Sequence, residues 1–319
     1  AIRNRTHIGM KKYLVPLVCL LALSTSAFGA EPEKVDENPC EGMAVGEVMG
    51  VEVCEECHAD KVTGMRMNPH GQATDARTPY AGDGCETCHG PGTTHFDVEG
   101  NCIISLRGRF GESVEMRNDI CLGCHDSDMM HWSGSTHEAE DLACTSCHAI
   151  HDDKVSVLDR TTQAEVCYKC HKDVRAQGLR SSTHPIRDGK VVCSDCHNPH
   201  GSVAPAALRE NDVNETCFRC HAEKRGPFLW EHFPVTENCM LCHTAHGSSH
   251  ENLLKRQRPQ LCQQCHQDIR AQGRRHIRRF LDYDDPDPAR GRFIVGESCS
   301  NCHSKVHGSS HPSGTNLLR

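Results

Sequence analysis

An apolar run, Leu14–Leu23, sits behind Lys11 and Lys12 and is followed by small residues ending Ser-Ala-Phe-Gly-Ala at Ala30. Positive charge, a short apolar stretch and small residues in that order predict a secretory signal peptide. The run is too short for a membrane span. Cleavage after Gly29 would put Ala27 and Gly29 at the two small-residue positions and start the mature chain near Ala30; residues 1–9, ahead of Met10, read as upstream sequence. Elsewhere no segment is long and apolar enough to cross a bilayer, and none alternates like the strands of a barrel. Thr162-x-x-Glu165 is a capping box and Gly178 a stop signal, which predicts a short helix between them. The rest is rich in Gly, Pro, Asn and Asp, so turns and loops are expected, with few strands.

Hydrophobic residues make up 37% of the chain and aromatics 4%, too little for a conventional core at this length. The cysteines follow one pattern instead. Cys-x-x-Cys-His occurs ten times, with cysteine pairs Cys54 and Cys57, Cys85 and Cys88, Cys121 and Cys124, Cys144 and Cys147, Cys167 and Cys170, Cys193 and Cys196, Cys217 and Cys220, Cys239 and Cys242, Cys262 and Cys265, and Cys299 and Cys302. The adjoining histidines are His58, His89, His125, His148, His171, His197, His221, His243, His266 and His303. Twenty of the 23 cysteines are used, leaving Cys19, Cys40 and Cys102.

In this motif two thiols add across the vinyl groups of a haem, and the adjacent histidine ligates its iron. Zinc ribbons are an alternative, since pairs such as Cys144/Cys147 and Cys167/Cys170 have zinc-site spacing. Zinc does not require a histidine after every pair, and neither does a disulfide framework or a thioredoxin-like redox site. All ten pairs have one, which selects ten covalent c-type haems. Export to a bacterial periplasm, where such haems are attached, agrees with the leader. Ten motifs in about 290 mature residues leave about 29 residues per haem, so the macrocycles supply the missing apolar volume and lie close together. The chain is not expected to fold without them.

The leader carries four of the 35 basic residues and no acidic ones, so the mature chain has 31 bases against 43 acids, a net −12. Haem propionates add to this. This argues against nucleic acid or an anionic membrane surface as a partner.

Histidines outside the motifs recur in a set order. His137, His184 and His232 precede the motifs at Cys144, Cys193 and Cys239, while His151, His200 and His246 follow them. A looser copy contains His70 and His95, and a truncated one His276 and His307. A ligand three residues beyond a motif histidine, as His200 is beyond His197, cannot reach the opposite face of the same haem and should serve a neighbour. These ten histidines are the expected second axial ligands, their pairing not readable from spacing. His131, His250 and His311 are left over, with His311 the substitute for His307. Cys167–Gly178 (CYKCHKDVRAQG) matches Cys262–Gly273 (CQQCHQDIRAQG) at an offset of 95 residues. The expected fold is therefore an extended, loop-rich multihaem cytochrome c with short helices and little or no sheet. It should comprise two related pentahaem modules, 30–180 and 181–319.

Two histidines per iron leave no open coordination position, and methionine, which raises haem potential, is absent from the ligand set. An electron carrier of low potential is expected rather than an enzyme. A multihaem reductase would need an open iron. Arg274, Arg275, Arg278 and Arg279 precede Asp282, Asp284, Asp285 and Asp287; a solvated charged loop is the plain reading, and partner docking or iron binding the sharper one. Cys40 and Cys102 could form a disulfide or stay free.

With the motifs in place, the chain resembles the MtrA/MtoA/PioA-like periplasmic decahaem cytochromes, related to DmsE. The likeness covers nearly the whole mature chain and is closest in Cys220–Cys239, Arg258–His266 and Val306–Gly314. The Arg- and Asp-rich stretch departs from the family pattern. The resemblance implies insertion into an outer-membrane porin-like β-barrel. Electrons would pass between a periplasmic cytochrome or quinol-linked carrier and an extracellular acceptor or donor, such as a multihaem cytochrome, in Fe(III) reduction or Fe(II) oxidation. Ten macrocycles, each about a helix diameter of roughly 10 Å across, can outreach a hydrocarbon core of roughly 30 Å. The alternative is a soluble periplasmic shuttle to a terminal reductase.

Overall fold

A computed structural model describes residues 46–97, 102–109, 111–266 and 298–318. The leader, Cys40, the Arg- and Asp-rich stretch, His276 and most of the second copy of the repeat lie outside the described residues. Within them the chain forms ten short α-helices joined by 3-10 turns and loops. The helices are α1 (Val51–Met67), α2 (Glu86–His89), α3 (Thr93–Asp97), α4 (Val114–His125), α5 (Thr136–Ala139), α6 (Gln163–Cys167), α7 (Lys172–Gly178), α8 (Cys193–Cys196), α9 (Val213–Phe218) and α10 (Phe233–Glu237). Strand pairing among the described residues is limited to isolated bridges such as Ser182 with Ser248 and Trp230 with Ser309. None of the helices is long and apolar enough to cross a membrane.

Local signals explain where several helices begin. Ser113 accepts from the Met116 amide at the start of α4, Ser135 from Glu138 at α5, and Asp212 from Glu215 at α9. Each satisfies an otherwise orphaned helix N–H. The expected capping box at Thr162 does not form. The Thr162 hydroxyl donates to the Ser156 carbonyl at 2.7 Å instead, and the helix expected to run to Gly178 breaks in two. α6 ends at Cys167 and α7 begins at Lys172, with His171 at φ −83°, ψ 62° between them. Gly178 is the last residue of α7 rather than a left-handed stop.

The apolar interior is small. Among the described residues, Val62, Met65, Trp132, Ala143, Ala164, Tyr168, Val192, Ala204 and Leu254 are the buried hydrophobic side chains, while Val203, Met130 and Phe233 are 75–80% exposed. Nine such residues cannot hold these loops by hydrophobic burial alone. The expected module boundary at 180/181 is spanned by tight contacts: Arg160 makes two hydrogen bonds to Asp195, at 2.8 and 3.2 Å, and His137 Nδ1 reaches the Pro199 carbonyl at 2.8 Å.

Candidate functional site: ten motif turns and their facing histidines

Each motif is a single helical turn. The histidine amide bonds back to the carbonyl of the first cysteine, at 3.0 Å for His197 to Cys193 and 2.9 Å for His221 to Cys217, for instance. Positions i, i+3 and i+4 share one helical face. Two thiols and an imidazole are thereby aimed into the same space, as the attachment of one cofactor requires.

Opposite these turns stand the second histidines. Numbering sites 1–10 in motif order, the facing rings are His58 with His95 (site 1), His89 with His151 (2), His125 with His70 (3), His148 with His200 (4), His171 with His137 (5), His197 with His246 (6), His221 with His184 (7), His243 with His307 (8) and His266 with His232 (9). Every pair joins a motif histidine to a second-ligand candidate from elsewhere in the chain. The centroids are 5.8–6.4 Å apart. Two metal–nitrogen bonds of about 2 Å, together with the rings' own radii, span such a gap, so one iron fits between each pair. His303 of site 10 is described, while its expected partner His276 is not.

Ring orientation is fixed from behind. His89, His137, His184, His197, His232, His243 and His303 each donate from Nδ1 to a backbone carbonyl at 2.7–3.0 Å. His70 Nδ1 meets Asn68 Oδ1 at 2.9 Å. With Nδ1 carrying the proton, Nε2 is the free lone pair. Burial pushes the pKa values of His70, His148, His151, His200, His232, His246 and His307 down. At neutral pH these rings are held in the uncharged form a metal needs.

The thiols reveal the order of the sites. First cysteines of consecutive motifs lie close enough to perturb one another in pairs: Cys54 with Cys85, Cys121 with Cys144, Cys167 with Cys193, Cys217 with Cys239, and Cys262 with Cys299. The close approach of the two sulfurs holds Cys121, Cys193 and Cys239 below the usual thiol range and pushes their partners up. Electrostatic contact then carries each pair to the next, Cys88 reaching Cys121, Cys147 reaching Cys170, Cys196 reaching Cys220, and Cys242 reaching Cys265. The ten motifs therefore neighbour one another in sequence order, without a break.

Several residues that position these sites carry a sequence signal that the motif reading passes over. Buried Asn118 and Asn214, each three residues before a motif, accept from the amide of the first cysteine of the next motif, Cys144 and Cys239, both at 2.8 Å. Gln163 does the same for the Ser194 amide at 3.0 Å. A glycine follows His70, His200, His246 and His307. A Cβ at Gly201 or Gly247 would collide with the His131 or Gln177 carbonyl, so at His200 and His246 the residue that follows must lack a side chain. Of the spare histidines, none of His131, His250 and His311 faces a motif histidine among the described residues. Cys102 is disulfide-bonded, and its partner lies outside them.

Repeated motif turns, each opposed by a second imidazole across an iron-sized gap, define a multihaem c-type cytochrome. A doubled Cys-x-x-Cys-His family model matches residues 184–226 and 232–271, and a model of NrfB-like cytochrome c-type proteins matches residues 85–163. The multihaem cytochrome MtrA of Shewanella baltica is 40% identical over 99% of this chain and 100% of its own length. The cytochrome c-type protein NrfB of Haemophilus influenzae is 28% identical over 32% of this chain and 50% of its own. The chain belongs to the MtrA family of multihaem cytochromes, whose chemistry is electron transfer through covalently bound haem.

Proposed function

We propose that the protein is a decahaem electron conduit acting through an outer-membrane porin-like barrel. In each of sites 1–9 the motif histidine and the ring facing it would together hold the haem iron, and in site 10 His303 would do so; its expected partner, His276, lies outside the described residues. Bound there, haem would supply a one-electron Fe(III)/Fe(II) couple. The cysteines hold each site permanently in place, and the carbonyl-bound histidines present Nε2.

The unbroken adjacency of the ten motifs in chain order carries this reading. A shuttle needs one accessible entry and exit site, whereas a file of ten distributes its sites between two ends. The 95-residue repeat supports growth of such a file by duplication of a five-site half, with modules 30–180 and 181–319. The expected partners are the barrel, a periplasmic cytochrome or quinol-linked carrier at one end, and an extracellular multihaem cytochrome at the other. Iron outside the cell is the expected terminal acceptor or donor.

Co-purification from outer membranes tests the conduit. Recovery with a barrel protein, and reduction of an external acceptor by proteoliposomes holding both, are expected. A cytochrome that remains entirely in the periplasmic fraction, with no barrel attached, points to the shuttle.

A further inference from the structure

Sites 6 and 8 close with a characteristic turn. In site 6, His197 Nδ1 donates to the carbonyl of Ala206, nine residues on, and in site 8 His243 donates to Asn252 at the same spacing, at 2.9 and 2.8 Å. Ala206 and Asn252 are both left-handed, at φ 55°. The turns are sealed by the Asn198 amide to Ala207 and the Thr244 amide to Leu253. Sites 2 and 10 make the same bond over longer spans, to Ile104 and Asn316. Odd sites 3, 5, 7 and 9 fix the opposite ring instead, through His70, His137, His184 and His232.

Site 4 does neither. Nine residues beyond His148 stands Val157, whose β-branched side chain disfavours the left-handed conformation the turn requires. Its carbonyl accepts from Gln163 Nε2 at 2.9 Å. Among the described residues, neither the His148 ring nor the His200 ring makes a hydrogen bond. His200 is steadied by buried Trp132, whose ring meets it edge-on at 6.5 Å and 64°. An Nδ1–H bond to a carbonyl enriches the ligating nitrogen and favours ferric iron. Here that bond is missing from both rings, and both are partly withdrawn from solvent, which further disfavours the more charged ferric state. At site 1, by contrast, His58 is exposed.

We infer that site 4 is the highest-potential station of the file, reduced first and left reduced longest. Val157 and Trp132 act as its positioning residues. The inference rests on the pairing of His148 with His200 as axial ligands.

The experiment is a mediated potentiometric titration of the holo-cytochrome and its His200→Met variant, followed by visible absorption and EPR. Methionine ligation gives a long-wavelength sulfur-to-iron band that marks this haem alone. The band should appear, and the component missing from the wild-type envelope should be the highest, with the other nine in place. A missing component from lower in the envelope overturns the inference while leaving the ligand pair standing. Absence of the band with ten low-spin haems retained overturns the pairing and the inference with it. As a milder check, Asn252→Val removes the turn at site 8 and should move one component upward; an unchanged titration also overturns the inference.

Discussion

The imidazole of His307 faces that of His243 with centroids 6.1 Å apart and planes 17° apart. His311, four residues on, is turned away. Its Nδ1 accepts from the Ser313 amide at 3.2 Å and its carbonyl accepts from the Trp230 indole at 3.0 Å. His307→Ala should therefore open one iron of ten, adding a stoichiometric high-spin signal in EPR, and His311→Ala should add none. The reverse result would reassign the ligand of site 8.

Ring planes divide the sites into two classes. Sites 1, 2, 4, 6, 8 and 9 have imidazoles within 14–28° of parallel, whereas sites 3, 5 and 7 are tilted by 71°, 60° and 46°. Parallel ligand π-orbitals act on one iron d-orbital and separate it from its neighbour, while crossed ones act on both. Ferric EPR should resolve a majority of rhombic low-spin haems and about three strongly anisotropic ones. A single uniform low-spin signal would contradict these orientations.

Asn214 accepts from the Cys239 amide and donates to the Val235 and Thr236 carbonyls at 3.0 and 3.2 Å. Asn214→Ala leaves these buried groups unpaired, which should cost about 1–3 kcal/mol. A lower denaturant midpoint for the holo-protein, at unchanged haem content, is the expected readout. Asn118→Ala should act alike, since Asn118 joins the Leu142 carbonyl to the Cys144 amide.

Nine buried apolar side chains cannot organise these loops, so apo-protein produced without haem attachment should show neither cooperative unfolding nor dispersed amide resonances. A compact apo-state with native-like circular dichroism would mean that the chain, and not the cofactor, forms the core.

Cys102, at φ 65° and in a disulfide, should appear in one cross-linked peptide in a non-reducing digest. The twenty motif cysteines should appear as thioethers, and recovery of Cys102 as a free thiol would count against the bond.

Much of the site was legible in the sequence because its chemistry is local. A Cys-x-x-Cys-His turn closes on its own backbone, so five consecutive residues specify where two thiols and a ring point, whatever surrounds them. The helix around Cys167 is shorter than its capping box suggests because that signal is also local but weak: the Thr162 hydroxyl turns toward the Ser156 carbonyl, brought near by a loop whose path depends on its neighbours. Asn118, Asn214 and the glycines after the second histidines were visible as letters. Their meaning depends on amides and carbonyls distant in the chain.

The number of motifs, the local shape of each motif turn and the small share of apolar residues were determined by the sequence alone. Each follows from composition or from geometry within one turn. Which ring faces which, and the order of the sites, were decided only by the tertiary structure. His89 meets His151 and not the nearer His95, and site 4 differs from sites 6 and 8 by a carbonyl turned toward Gln163. Such pairings depend on how loops of similar composition close over one another, and that information is spread over contacts between segments rather than held in any one of them.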